Sequence, residues 1–203
     1  MDLKNTYNKI GDDWFRDHAL DNWWHKGAGT FISFLKPGTK VLDVGCGPGH
    51  ASKYLVQKGL KVFGFDFSEK MIEIAIREVP KSKFLVMDLN DIEKLEETFD
   101  GIYAKAVLLH VPKKEILVVM KKITSKLKPS GYFYVAVKEA KSGQREEQIK
   151  IESDFGYEYS RFFSFFFLPE MEKYFAEVGL KVCYTKVTPV GKTRWIEIIG
   201  QKV

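Results

Sequence analysis

The sequence predicts an α/β protein built on a doubly wound, seven-stranded, mostly parallel sheet that ends in an antiparallel hairpin. Three observations predict this fold class. Short apolar runs alternate with helical patterns from residue 40 to residue 137, as expected for parallel strands joined by helices. The first of these strands leads into a glycine-rich turn and then a helix. The last two strands are separated by a link too short for a parallel crossover, so they are expected to pair antiparallel.

Residues 1–38 are predicted to be helical and to precede the first strand. The first apolar face includes Trp14 and is interrupted at Gly11. Trp23 and Trp24 open a second apolar face, which stops at a Pro-Gly pair. The simplest interpretation is a helix pair packed against one edge of the sheet.

Residues 40–50, with the sequence KVLDVGCGPGH, combine a strand with a turn. The apolar positions at the start of this stretch indicate a buried central strand. Three glycines then occupy alternate positions, Gly45, Gly47 and Gly49. Glycine allows positive φ and lets a ligand approach the main chain closely, so this turn is the leading candidate for a nucleotide-binding loop.

Strands and helices continue to alternate after this turn. Helices are predicted over residues 50–58, 68–78 and 112–127, where apolar residues recur at helical spacing. Ser68 is a suitable N-cap for the second of them, and Pro112 lies near the first turn of the third. Further strands are predicted over residues 61–65, 83–87, 99–104 and 132–137, with a turn at 129–131 before the last.

The pattern changes after residue 137. Residues 138–161 are polar and without a clear period, which predicts a loop or an inserted cap. Residues 162–167 contain five phenylalanines, most of which are expected to pack between this cap and the sheet. A helix over 169–178 and strands over 180–187 and 195–200 complete the chain.

Two features of the glycine turn argue against a dinucleotide as its ligand. The glycines run G-x-G-x-G, whereas the dinucleotide fingerprint requires G-x-G-x-x-G/A, and His50 replaces the last small residue. Pro48 removes one backbone donor that would face a pyrophosphate. The stretch resembles the first motif of class I S-adenosylmethionine-dependent methyltransferases, V-L-D-x-G-x-G-x-G, with Asp43 at its acidic position.

This resemblance extends over nearly the whole chain and implies S-adenosylmethionine as cofactor and S-adenosylhomocysteine as product. It implies one methyltransferase domain over residues 1–203. We expect a helical N-terminal cap or lid (1–38), a cofactor-binding core (39–137), an inserted substrate cap (138–167), and a helix with the terminal hairpin (168–203).

Asp66 ends the second strand, 21 residues beyond Gly45. A carboxylate there can accept hydrogen bonds from both ribose hydroxyls, although this feature alone would equally fit NAD, and a helix-capping role is the alternative. The resemblance implies that Asp88 contacts the adenine; a loop-capping role is the alternative. The full set of cofactor contacts expected from the motif and the resemblance is Asp43, Gly45, Cys46, Gly47, Asp66, Phe67, Met71, Asp88, Leu89 and Lys105.

The residues that would act on the methyl acceptor are less well defined. His110 follows the fourth strand on the cofactor side and is the candidate general base; a structural histidine capping the next helix is the alternative. Trp24, His25, Tyr157 and Arg161 are candidates for the acceptor pocket. Arg161 would suit a carboxylate or phosphate, although a surface arginine is equally consistent with the sequence. No metal site is predicted.

The predicted function is methyl transfer to an oxygen, nitrogen or carbon nucleophile of a small molecule. A tRNA wobble-base methyltransferase is one alternative; an NAD-dependent oxidoreductase and a non-catalytic methyltransferase-like partner subunit are others. The fourth strand does not end in [DN]-P-P-[YFW], which argues against methylation of exocyclic or amide nitrogens. Neither cysteine follows the fourth or fifth strand, which argues against 5-methylcytosine chemistry.

The composition is ordinary for a soluble globular protein, with 45% hydrophobic and 29% charged residues. A net charge of +5 permits nucleic acid as a partner, but the lysines are interleaved with glutamates, which indicates a solvated surface. The sequence contains no apolar run long enough to span a bilayer and no signal-peptide pattern, so no membrane partner is expected. Two cysteines without a disulfide pattern suggest the cytoplasm, and the chain is expected to be a monomer or homodimer.

Overall fold

The computed structural model describes residues 2–203. The strands are β1 (Lys40–Val44), β2 (Lys61–Asp66), β3 (Lys83–Val86), β4 (Phe99–Lys105), β5 (Leu127–Lys138), β6 (Glu147–Glu152), β7 (Tyr159–Ser164), β8 (Leu180–Val190) and β9 (Thr193–Lys202). The α-helices are α1 (Leu3–Asp17), α2 (His25–Ser33), α3 (His50–Gln57), α4 (Glu69–Glu78), α5 (Lys113–Ser125) and α6 (Leu168–Glu177). Short 3₁₀ helices span Leu89–Lys94 and Leu108–His110.

Seven strands form one sheet in the order β3-β2-β1-β4-β5-β9-β8. Within the sheet β9 pairs antiparallel with both β5 and β8, and the remaining strand pairs are parallel. The predicted fold class is therefore confirmed. The strand order reverses between β1 and β4, which is where ligands bind in open α/β sheets.

The alternation of side chains along β1 divides the core between the two faces of the sheet. Leu42 and Val44 point into one apolar cluster, together with residues of α5 and α6. Val41 points to the opposite face, where it packs with Phe31 of α2 and Tyr103 of β4. Both faces are covered, which explains why Val41, Leu42 and Val44 are all apolar although they do not share one face.

Helix α1 packs against α4 and β7. It is tethered to the start of α4, where the Ser68 hydroxyl donates to Asn8 (2.6 Å), and to β7, where Thr6 donates to the Ser160 carbonyl (3.1 Å). The interruption predicted at Gly11 does not occur. A Cβ at Gly11 would lie 2.6 Å from Cγ of Lys70, so the glycine permits close contact between α1 and α4.

The segment predicted as a loop or cap contains a second, two-stranded antiparallel sheet, β6–β7, in which Ile149 pairs with Phe162. Ile149 and Ile151 are the only apolar residues of β6, which is too few to predict a strand, and both face outward, at 63% and 73% exposure. In the phenylalanine-rich stretch, Phe163, Phe165 and Phe166 are buried as expected, whereas Phe167 is 43% exposed.

Two other boundaries differ from prediction. The turn expected at 129–131 lies within β5, where the pairing with β4 shifts register and Ser130 adopts a φ of 60°. The terminal strands β8 and β9 extend further toward each other than predicted, with pairing up to Val190 and Thr193. Among residues 2–203, no helix combines the length and apolar character needed to cross a bilayer.

Candidate functional site

A cavity of about 360 Å³ lies at the carboxyl ends of β1, β2, β4 and β5. It spans the point where the strand order reverses. Residues of α1 and of the β6–β7 sheet line its other side, including Tyr7, Trp14, Tyr159 and Arg161. The N-terminal helix and the inserted segment thus enclose the position where the fold class places its ligands.

The glycine turn after β1 forms part of the cavity wall. Gly45 and Gly47 adopt φ angles of 59° and 52°, a region that glycine occupies without steric cost. A Cβ at Gly45 would lie 2.5 Å from Cγ2 of Val107, so that position requires glycine for packing as well as for conformation. At Gly47 no described atom lies within 4 Å of a built Cβ, which leaves this stretch of main chain open to a ligand.

Asp66 holds the turn in place and faces the cavity. One carboxylate oxygen accepts from the Gly47 N–H and the other from the Ser68 N–H, each at 3.0 Å. Asp66 is 6% exposed, and this burial raises the pKa of its carboxyl to about 6 despite the hydrogen bonds that favour the charged form. A hydroxyl-bearing ligand in the cavity would supply further donors to this carboxylate.

Asp43 lies outside the cavity lining, behind the glycine turn. It is 2% exposed, and the Ser52 hydroxyl of α3 donates to it at 2.6 Å. Burial raises the pKa of the Asp43 carboxyl to about 7. Cys46 lines the cavity, and burial raises the pKa of its thiol well above the usual range, so the thiol is not activated as a nucleophile.

Lys105 lines the cavity at the end of β4. Its ammonium lies 4.4 Å from the ring centroid of Trp24, and burial lowers its pKa to about 8. Trp24 itself is buried below the cavity lining, and His25 stacks on Tyr54 with ring centroids 4.5 Å apart. Trp24 therefore supports a cavity residue, and neither Trp24 nor His25 lines the cavity.

Of the four remaining residues expected to contact the cofactor, two line the cavity and two do not. Phe67 and Met71 line the cavity beside Asp66. Asp88 and Leu89 lie outside the lining, where the Asp88 carboxylate accepts from the Asn90 N–H at 2.8 Å and caps a 3₁₀ helix. This is the loop-capping arrangement considered as the alternative, and a contact of Asp88 with adenine remains a prediction.

His110 lines the cavity with both ring nitrogens in hydrogen bonds. Nδ1 lies 2.7 Å from the Phe162 carbonyl, which can only accept, so Nδ1 carries the proton. Nε2 then accepts from the Tyr7 hydroxyl at 2.7 Å. Burial, with smaller contributions from Arg161 and Lys138, lowers the pKa of His110 to about 3, so the ring is neutral at physiological pH.

Arg161 lines the cavity but already has a carboxylate partner. Its Nε and one terminal nitrogen donate to the two oxygens of Glu152 at 2.6 and 2.7 Å. The guanidinium also lies 4.7 Å from the ring centroid of Trp14. Tyr157 lies outside the lining, and its hydroxyl donates to Asp13 of α1 at 2.6 Å. Both contacts fasten the inserted segment to α1.

Several cavity residues were not singled out from the sequence. Tyr7 belongs to the N-terminal apolar face, and nothing in that pattern distinguished a cavity residue from a core residue. Lys138 is the last residue of β5, and its place at a strand end is the one signal that could have marked it. Trp195 comes from β9, which lies next to β5 in the sheet, and a sequence pattern does not show that proximity.

Comparison with known proteins identifies the family. A family model described as a methyltransferase domain matches residues 13–185. The chain belongs to the methyltransferase domain family. The resemblance seen in the glycine stretch is thereby confirmed at the level of the family.

Curated relatives match parts of this methyltransferase domain. Phosphoethanolamine N-methyltransferase 3 of Arabidopsis thaliana is 38% identical over 102 residues, 48% of this chain and 20% of its own length. The ubiquinone biosynthesis O-methyltransferase of Rhizobium rhizogenes is 30% identical over 138 residues, 65% of this chain and 53% of its own length. The matched part thus spans between a fifth and about half of these relatives.

Solved structures resemble the domain over nearly its full length. A Burkholderia thailandensis 1,6-didemethyltoxoflavin-N1-methyltransferase, with bound 1,6-didemethyltoxoflavin and S-adenosylhomocysteine, has a TM-score of 0.77 at 17% identity, covering 99% of this chain and 87% of that one. The magnesium protoporphyrin IX methyltransferase of Synechocystis PCC 6803, with bound SAM, has a TM-score of 0.75 at 19% identity, covering 99% and 95%. At such low identity these likenesses establish the fold.

Proposed function

We propose that this chain is an S-adenosylmethionine-dependent methyltransferase that acts on an oxygen, nitrogen or carbon nucleophile of a small molecule. The observation that carries the proposal is a single cavity with two unlike halves. One half presents the Asp66 carboxylate and the glycine turn, and the other is enclosed by aromatic and basic residues of α1 and the β6–β7 sheet. Family membership supports the reaction class.

The cofactor half has the chemistry that S-adenosylmethionine requires. Asp66 would accept the ribose hydroxyls, and Gly47 would leave room for the ligand beside the main chain. Lys105 offers a cation in this half that would suit the carboxylate of the methionine moiety. S-adenosylmethionine, when bound, supplies a methyl group already activated by its sulfonium.

Because the methyl group is activated, the main task of the protein is to position the acceptor and to exclude water. Positioning of this kind contributes on the order of 7–11 kcal/mol to lowering a reaction barrier. Helix α1 and the β6–β7 sheet would supply the enclosure, since they are joined to each other by Thr6 and by Tyr157.

Tyr7 and His110 would position the acceptor as a pair. The neutral His110 ring accepts from the Tyr7 hydroxyl, which fixes the orientation of that hydroxyl in the cavity wall. The Tyr7 oxygen also accepts a long hydrogen bond from Arg161, at 3.5 Å, and its other lone pair can accept from an acceptor hydroxyl or amine. In this arrangement His110 is a positioning residue, and its low pKa disfavours the direct base role considered from the sequence.

The proposal is tested by following the conversion of S-adenosylmethionine to S-adenosylhomocysteine in the presence of acceptor panels. Phenols, primary amines and carboxylic acids form one panel, and bulk tRNA forms the other. We expect turnover with members of the small-molecule panel and its loss in Asp66→Ala. Methylation of tRNA alone would replace the proposal with the nucleic-acid alternative.

A further inference from the structure

The acceptor half of the cavity contains two basic side chains; among the described residues, Arg161 has a carboxylate partner and Lys138 has none. The charge of Arg161 is balanced by the two hydrogen bonds to Glu152, and only 8% of the Arg161 side chain is exposed. Lys138 has no such partner: within residues 2–203 its ammonium makes no hydrogen bond or ion pair. The carboxylate next to it in the chain, Glu139, is paired with Arg194.

Lys138 lies between two aromatic side chains. Its ammonium is 3.9 Å from the ring centroid of Phe163 and 5.8 Å from that of Trp195, with which Lys138 is paired in the β5–β9 register. All three residues line the cavity. Cation–π contacts stabilise an ammonium group without neutralising its charge, so the attraction for an anion remains.

The surroundings of Lys138 leave this charge uncompensated. Burial is the main reason that the pKa of Lys138 falls to about 8; Arg161 and Lys150 lower this pKa further, and Glu152 raises it by less. The acidic residues of the cavity wall lie on other elements. Asp66 ends β2 and accepts from the Gly47 and Ser68 N–H groups, Asp154 accepts from the Tyr159 hydroxyl at 3.0 Å, and Asp17 and Asp21 are at the end of α1 and just beyond it. A partly buried cation without a counterion is stabilised when an anion binds.

We propose that Lys138 determines acceptor specificity by binding a carboxylate or phosphate group of the methyl acceptor, whose apolar body packs against Trp195. The inference rests on the proposed function, because it names the substrate class for the same cavity. It also transfers to Lys138 the anion-binding role that the sequence suggested for Arg161.

The test uses ligand-observed ¹⁹F NMR on the full chain saturated with S-adenosylhomocysteine. Three probes share one ring and differ in charge: 4-fluorobenzoate, 4-fluorophenyl phosphate and the uncharged 4-fluorobenzamide. We expect one or both anions to bind at least tenfold more tightly than the amide. The two anions distinguish a carboxylate acceptor from a phosphorylated one, and binding of either supports the proposal.

The variants separate a direct contact from a general charge effect. Lys138→Met should weaken anion binding at least tenfold, and Lys138→Arg should retain most of it. Lys150→Met removes the same charge from a neighbouring lysine outside the cavity lining and should change binding less than twofold. Thermal melting of each variant confirms that it is folded.

Equal binding of anion and amide, unchanged anion binding in Lys138→Met, or no binding of any probe would overturn the proposal. Failure of the proposed function is recognised separately. In that case calorimetry would show no binding of S-adenosylhomocysteine to the wild-type protein, whereas failure of the Lys138 proposal would leave this binding intact in wild type and in Lys138→Met.

Discussion

Replacing Gly45 by alanine tests the account of the glycine turn through stability alone. The backbone at Gly45 has a φ of 59°, which costs an alanine about 1–2 kcal/mol. The new Cβ would also lie 2.5 Å from Cγ2 and 2.8 Å from Cβ of Val107. Overpacking of this kind adds about 1–3 kcal/mol, so we expect Gly45→Ala to lower the free energy of unfolding by about 3 kcal/mol.

Alanine substitutions at two other glycines separate the cost of a positive φ from the cost of the clash with Val107. Gly38 and Gly47 also have positive φ, of 82° and 52°, but no described atom lies within 4 Å of a Cβ built at either. Gly38→Ala and Gly47→Ala should therefore cost only about 1–2 kcal/mol. Because Gly47 lines the cavity and Gly38 does not, Gly47→Ala should in addition weaken binding of S-adenosylhomocysteine.

The assay is urea denaturation followed by circular dichroism, without added ligand. In a separate thermal melt, a loss of about 3 kcal/mol would appear as a fall in Tm of roughly 6–12 °C for a chain of this size. In a double-mutant cycle, Val107→Ala should recover about 1 kcal/mol or more of the Gly45→Ala loss, since it removes the two γ-carbons, one of which is the closest atom. Equal costs for Gly45→Ala and Gly38→Ala, with no coupling to Val107, would refute the reasoning.

Three further predictions concern the charged and hydrogen-bonded groups of the site. Because Asp66 has a pKa of about 6 and would accept ribose hydroxyls as a carboxylate, S-adenosylhomocysteine should bind about tenfold more tightly at pH 7 than at pH 5. Calorimetry at both pH values checks this, and Asp66→Asn should abolish the difference. His110 should give the chemical shifts of a neutral ring with its proton on Nδ1, unchanged from pH 5 to pH 8 in NMR; a transition near pH 6.5 would contradict its placement. Glu152→Gln should lower the free energy of unfolding by about 3 kcal/mol because it leaves Arg161 buried without its charged partner, whereas Glu158→Gln, at an exposed position, should change it by less than about 0.5 kcal/mol in the same urea assay.

The cofactor half of the site could be predicted well from the sequence because its signals are local. A strand, alternate glycines and a carboxylate at the end of the next strand are all contiguous features, and the structure brings Gly45, Gly47 and Asp66 together around one cavity. The sheet could be predicted for a similar reason, since most strands are apolar runs bounded by turn residues.

The acceptor half could not be predicted in the same way because it depends on contacts between distant segments. The hydrogen bond from Tyr7 to His110 joins residues 103 positions apart. Arg161 gave a correct signal of a basic cavity residue, but the sequence could not show that Glu152 already balances it. The strand β6 was not predicted because Ile149 and Ile151 are its only apolar residues, and the others are polar or charged.

The central claim is that the cavity binds S-adenosylmethionine through Asp66 and the glycine turn. Isothermal titration calorimetry with S-adenosylhomocysteine tests it most directly, with NADH titrated in parallel. We predict micromolar binding of S-adenosylhomocysteine, a loss on the order of 100-fold in Asp66→Ala from about 3 kcal/mol of charge-assisted hydrogen bonding, and no binding of NADH. Tight binding of NADH without a response to S-adenosylhomocysteine would contradict the account.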